Sequence, residues 1–77
     1  MQIKYFNDTD TLYIEFNKNK IFETKDLNEN ILLDLDDKNN IVAITVEHAK
    51  SQTNISNFSV NFLPENKIKE VAEFELV

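Results

Sequence analysis

Apolar side chains in this chain recur at every second position, in short segments, and that periodicity constrains the fold more than any other feature. Val42, Ile44 and Val46 alternate with Ile41, Ala43 and Thr45. Ile31, Leu33 and Leu35 alternate with Leu32, Asp34 and Asp36. Leu12, Ile14 and Phe16 alternate with Tyr13 and Glu15, while Ile3 and Tyr5 share one face of a shorter segment. Successive side chains of a β-strand point to opposite faces of the sheet, so a period of two marks a half-buried strand. Residues 21–25 form a weaker segment with mixed faces. No helix-period segment in this region is long enough for a parallel βαβ unit.

The polar stretches between these segments carry turn chemistry. Residues 7–10, 17–20, 28–30 and 37–40 are built from Asn, Asp, Thr, Glu and Lys, and Asx side chains bond their own backbone in turns. The chain contains no Gly, which leaves Asn as the residue best able to take left-handed dihedrals. Asp37-Lys38-Asn39-Asn40 is the strongest hairpin loop, because apolar alternating segments flank it. Short turns between five strands predict an antiparallel meander over residues 2–47. Its expected core is Ile3, Leu12, Ile14, Phe16, Leu33, Leu35, Val42, Ile44 and Val46.

Residues 48–77 read as a less regular extension. Residues 47–52 suit a helical turn, and Phe58, Val60 and Phe62 alternate as a further strand. Pro64 suits a helix start. Ile68, Val71 and Ala72 then stand at i, i+3 and i+4, so a short amphipathic helix over residues 64–74 is preferred. The competing reading is a strand, with Ile68, Glu70, Ala72, Phe74 and Leu76 in alternation. The expected class is therefore α+β, mainly β, in a single domain over residues 1–77.

Composition narrows the chemistry. A chain of 77 residues buries roughly 60% of its unfolded surface on folding and supports one thin core. No apolar run approaches the ~20 residues of a membrane span. Lys4, Asp8 and Asp10 interrupt the first segment, unlike a signal peptide, so a cytoplasmic protein without membrane attachment is expected. There is no Cys, which excludes disulfides, thiolate metal sites and Cys nucleophiles. The absence of Gly excludes P-loops and dinucleotide fingerprints. A net charge of −6 argues against direct nucleic-acid binding, which needs Lys or Arg on phosphates. Most of that charge lies in residues 23–47, where Glu23, Asp26, Glu29, Asp34, Asp36, Asp37 and Glu47 face only Lys25 and Lys38, a net of −5. Such a stretch speeds encounter with a basic partner.

Four segments occur together in order: Ile3-Lys4-Tyr5, Asp8-Thr9-Asp10-Thr11-Leu12-Tyr13-Ile14, Ile31-Leu32-Leu33-Asp34-Leu35-Asp36, and Ile41-Val42-Ala43-Ile44-Thr45-Val46-Glu47-His48-Ala49. Over about residues 2–50 the chain resembles the small prokaryotic family called domain of unknown function 2283. Thr11 stands where that family usually has Ala, and Ala43 where it often has Gly. The resemblance implies a mostly β module without an established activity. Relatives are associated with small toxin-like proteins, some similar to ribonucleases, so the resemblance also implies an antitoxin role.

Few residues invite catalysis. His48 is the only His, which excludes a two-His metal site within one chain. It follows Glu47 at the end of the best strand and reads as a strand-end residue rather than a general base. Asp34 and Asp36 are expected on one face of a strand, ~7 Å apart, close enough to share a hard cation. Lys38 stands where a calcium loop needs a third oxygen and Gly is absent, so a solvated strand face is the better reading. Tyr5 and Tyr13 read as aromatic packing at the core margin. Ser51, Ser56 and Ser59 lack a nucleophile-elbow context.

The expected function is a protein-interaction module, an antitoxin that neutralises a small basic ribonuclease-like toxin. Asp34, Asp36, Asp37, Phe58 and Phe62 are the expected partner-binding residues, with no catalytic, cofactor or metal site. The alternatives are a homo-oligomeric structural or ligand-binding module and, behind it, an enzyme using Asp34, Asp36 and His48. Self-association is expected in any case, since a small domain gains core from a second copy and sheet edges need cover.

Overall fold

The computed structural model of the chain describes residues 1–62 and the backbone of the strand Glu70–Glu75. In chain order the elements are β1 (Gln2–Phe6), β2 (Thr11–Glu15), β3 (Glu23–Asn28), β4 (Ile31–Leu35), β5 (Ile41–Glu47), α1 (Ala49–Gln52), β6 (Asn57–Phe62) and β7 (Glu70–Glu75). β1 to β5 form one antiparallel sheet in the order β1-β2-β5-β4-β3, and β6 pairs with β7 in a separate hairpin. The mainly β fold with five antiparallel strands is the one the alternation predicts.

The strand order departs from a simple meander at one place: β2 pairs with β5, not with β3. Polarity explains the choice. β5 buries Val42, Ala43 and Val46, and so draws a strand to each side. β3 is exposed along its whole length, and a hydrophilic strand with a bulge at Leu27 suits a sheet edge. Residues 16–22 therefore run as a strap across the ends of β5 and β4 instead of closing a tight turn. The Phe16 amide donates to the Val42 carbonyl at 2.8 Å, Asn17 Nδ2 to the Ile41 carbonyl at 3.0 Å, and the Phe22 amide to the Leu35 carbonyl at 2.8 Å.

The core is thinner than the alternation suggests. Of the expected core, Leu35, Val42 and Val46 are buried and Leu12, Ile14, Phe16, Leu33 and Ile44 are half-buried. Ile3 is 37% exposed, because β1 is an edge strand. Ala43 and Ala49, both at 0% exposure, complete the buried set. Ala43 lies between Glu15 and Asp34 in register and is not among the residues of positive φ. A small side chain at this position is thus a packing requirement and not a dihedral one.

Positive φ falls on Asp10 (53°), Asn39 (67°) and His48 (54°). Asn39 fits the expected role of Asn in turns; the other two mark the opposite end of the sheet. The helix expected over residues 64–74 is replaced at 70–75 by β7. The period-two reading wins there because it supplies β6 with a partner, placing Phe74 opposite Phe58 and Ala72 opposite Val60. Residues 64–69, the rest of that expectation, lie outside the described residues.

Candidate interaction surface

The register sorts the side chains of the large sheet into two unlike faces. On one, Ile3, Ile14, Ile44 and Leu33 form a row across β1, β2, β5 and β4 that ends on Lys25 of the edge strand β3, and Tyr5, Leu12, Val46, Ile31 and Asn28 form the next. On the other, Lys4, Tyr13, Thr45, Leu32 and Asp26 form a row beside Gln2, Glu15, Ala43, Asp34 and Thr24. Glu47, opposite Thr11, extends this polar face. The segment after α1 lies over one end of the apolar face, where Ile55 and Phe58 approach Ile3, Leu12 and Ile14 around an apolar cavity of about 200 Å³.

The polar face carries a negative field. The Tyr13 phenol is raised above its ordinary value, first by loss of hydration and then by the charges of Glu15 and Asp34. Lys18 offsets part of this through an ion pair with Glu15 at 2.8 Å, and it holds the Glu15 carboxyl low. Asp34 Oδ1 accepts a hydrogen bond of 2.6 Å from the Thr24 hydroxyl, which fixes that carboxylate on the face.

The five expected partner-binding residues separate in space. β4 ends at Leu35, so Asp36 opens the loop instead of sharing a strand face with Asp34. Asp36 is only 7% exposed. Its Oδ1 accepts the amides of Asn40 at 2.8 Å and Lys38 at 2.9 Å, and its Oδ2 accepts Asn19 Nδ2 at 3.0 Å. Those bonds, the Asn40 amide first, hold its carboxyl below the ordinary value against the opposing effect of burial. Asp36 is thereby the internal knot of the β4–β5 loop and of the strap. Asp37 is exposed beside it, along a groove of about 610 Å³ that also holds Lys20, Ile21 and Phe22. Phe58 is half-buried against the sheet, and Phe62 is 55% exposed on the hairpin. Alternation did not single out Phe22, 74% exposed; its place outside any alternating segment is the signal that marks it.

His48 does not meet Asp34 and Asp36. It follows the far end of β5 from the Asp36 loop, a separation on the order of 20 Å at the rise of a strand. Its ring Nδ1 lies 2.9 Å from Asn30 Oδ1, an oxygen that only accepts, so the contact selects the Nδ1–H form. Tyr5, Asp10 and the start of α1 gather at the same end. Among the described residues no group of three or more His, Cys, Asp or Glu is placed to hold a metal ion, and no helix is long and apolar enough to cross a membrane.

The residues that build this arrangement are those of a recognised family pattern. A model of the family described as Protein of unknown function (DUF2283) matches residues 2–50. The chain belongs to this family. The match spans the five-stranded sheet and the start of α1, including the end of the sheet that joins Asp10, Asn30 and His48. The β6–β7 hairpin lies beyond it. No curated protein and no solved structure matches the chain.

Proposed function

We propose that this DUF2283 member is a protein-interaction module that receives a basic partner on the acidic face of its sheet, acting as an antitoxin toward a small ribonuclease-like toxin. The observation that carries this reading is the segregation of charge: Glu15, Asp26, Asp34 and Glu47 share one face with a single strand cation, Lys4. Charge on a flat face steers encounter, while affinity comes from desolvated anchors. Phe22, exposed beside Asp37 in the groove at the strap, is such an anchor.

The test is co-expression with the product of the neighbouring gene, read by co-purification and by growth. The expected result is a toxic neighbour that is bound and silenced. Glu15→Lys with Asp34→Lys slows association and flattens its salt dependence, and Phe22→Ala speeds dissociation. Asp36 is left intact, because its replacement disrupts the loop. A harmless neighbour, or one that stays harmful and unbound, removes the antitoxin reading.

A further inference from the structure

We infer that the outer edge of β3 takes up an extended, basic segment of the partner as an added strand of the sheet. The inference rests on the basic partner proposed above and says how that partner is held. β3 stands last in the order β1-β2-β5-β4-β3, with β4 on one side and, among the described residues, no strand on the other. Successive residues of a strand direct their N–H and C=O groups to alternate sides, so an edge strand presents one row of these groups outward. Every residue of β3 is exposed, which leaves that row open to a further strand. Glu23 to Asp26 keep a regular register against Leu35 to Leu32, and the irregularity follows at Leu27. The regular stretch is the part of the edge that can extend the ladder.

Charge selects the occupant. One row of the polar face runs from Lys4 on β1 to Asp26 on β3, and the next carries Glu15 on β2 and Asp34 on β4. Glu15 is paired with Lys18. The strand cation therefore marks the β1 edge, and Asp26 and Asp34 mark the β3 edge. A positive segment steered to this face is drawn toward β3. A strand added there sets alternate side chains beside Thr24 and Asp26 on the polar face, and the others beside Glu23 and Lys25. Directly opposed side chains lie about 4.5–5.5 Å apart, so Lys or Arg at alternate positions meets Asp26. On the other side Glu23 and Lys25 already lie 4.0 Å from each other. Acids on an edge guard against pairing with another acidic chain, because opposed like charges destabilise a pair. The same acids attract a basic strand. Main-chain hydrogen bonds then supply affinity and the alternating side chains supply specificity, as in other cases of strand addition. Phe22, directly before β3 and 74% exposed, offers an apolar contact where the added strand ends.

The test uses the full chain and a short synthetic peptide of alternating Lys and Val at low salt. Amide hydrogen exchange is expected to slow at the outward-facing amides of Glu23 to Asp26 when the peptide is added, and to stay unchanged along β1. The same peptide with its amides N-methylated keeps its charge and loses its donors, and it binds about tenfold more weakly or worse. A peptide of alternating Glu and Val does the same. Asp26→Lys weakens the Lys–Val peptide by about tenfold, whereas Asp8→Lys, an equal change of charge in the exposed β1–β2 turn, has a much smaller effect. The exchange measurement on the natural sequence needs no variant. Equal binding of the N-methylated peptide, or protection that misses β3, overturns the inference. The outcome is separable from the antitoxin reading. Protection of β3 beside a harmless neighbouring gene product keeps the inference and removes that reading. A toxic neighbour that is bound and silenced while β3 exchanges as in the free chain does the reverse.

Discussion

The Tyr5 hydroxyl donates a 2.7 Å hydrogen bond to Asp10 Oδ1, and the same oxygen accepts the Lys50 amide at 3.1 Å. The Asp10 carbonyl accepts the Ala49 amide at 3.0 Å. One residue therefore ties the edge strand, the β1–β2 turn and the start of α1 together. The left-handed backbone at Asp10 turns both of its acceptors toward the chain forty residues on, and Asp is among the few residues that reach such dihedrals at modest cost.

This pair makes stability depend on pH at both extremes. Loss of hydration, then the bond to Asp10 and its charge, push the Tyr5 phenol from 10.0 up to about 12. A folded value above the unfolded one stabilises fully below pH 10.0 and is lost as pH rises through about 12. The Tyr5 bond, followed by the Lys50 amide, holds Asp10 below 3.8. That contribution is complete above 3.8 and is lost as pH falls through the lower folded value. Tyr5→Phe is expected to flatten the alkaline limb and weaken the acid one. Melting curves across pH, with phenolate absorbance as a second signal, check this; only two Tyr and no Trp contribute. An unchanged alkaline limb contradicts the assignment.

Burial ranks the core. Leu35, at 5% exposure, is expected to lose ~2–5 kcal/mol on substitution by Ala. Ile3→Ala, at the exposed edge, costs the monomer much less. Denaturant unfolding of both variants compares them, and equal losses would remove the distinction between the buried end of β4 and the edge strand.

Ala43 has no room to grow. Its methyl group is wholly enclosed, so Ala43→Leu is expected to cost about 1–3 kcal/mol through overpacking. Ala43→Gly costs only about 0.5–1 kcal/mol, the backbone penalty of Gly in a strand. Thermal unfolding separates the two, and a Leu variant as stable as the natural sequence would show that the site is open.

His48 enters α1 with φ 54° and ψ 45°. A β-branched residue pays a steric cost there that Gly avoids, so His48→Val is expected to be less stable than His48→Gly by ~1–2 kcal/mol. The comparison between two variants cancels the shared loss of the Asn30 contact. Equal midpoints in denaturant would argue against a left-handed residue at this junction.

Much of the sheet was legible in one dimension. The strands about Leu12 and Ile14, Leu33 and Leu35, and Val42 to Val46 follow from period two, because each side of a strand meets a different medium. The loop at Asp37-Lys38-Asn39-Asn40 follows from Asx chemistry, and Asn39 takes the left-handed dihedral expected where Gly is missing. The two-face separation was latent in the same alternation, although pairing was needed to put Glu15 beside Ala43 and Asp34. Asp36 was misplaced because strand periodicity cannot show that the strand ends one residue earlier. The helix over residues 64–74 failed at 70–75 because a short segment satisfies both periods, and only a partner strand breaks the tie.

What the chain determines by itself is local: which residues alternate, where the backbone turns, and which charges and chemistries it lacks. Those properties depend on neighbours a few residues away, and they are enough for a mainly β domain of acidic character. Tertiary structure decided which strands met. β2 joined β5 rather than β3 because the most apolar strand gains most from two neighbours, while the hydrophilic one loses least at an edge. That choice drew the strap across the sheet, brought Asn19 to Asp36 and Lys50 to Asp10, and left one face apolar and the other acidic. Each of these contacts joins residues that periodicity cannot relate, since their meeting depends on competition among strands for the same partner.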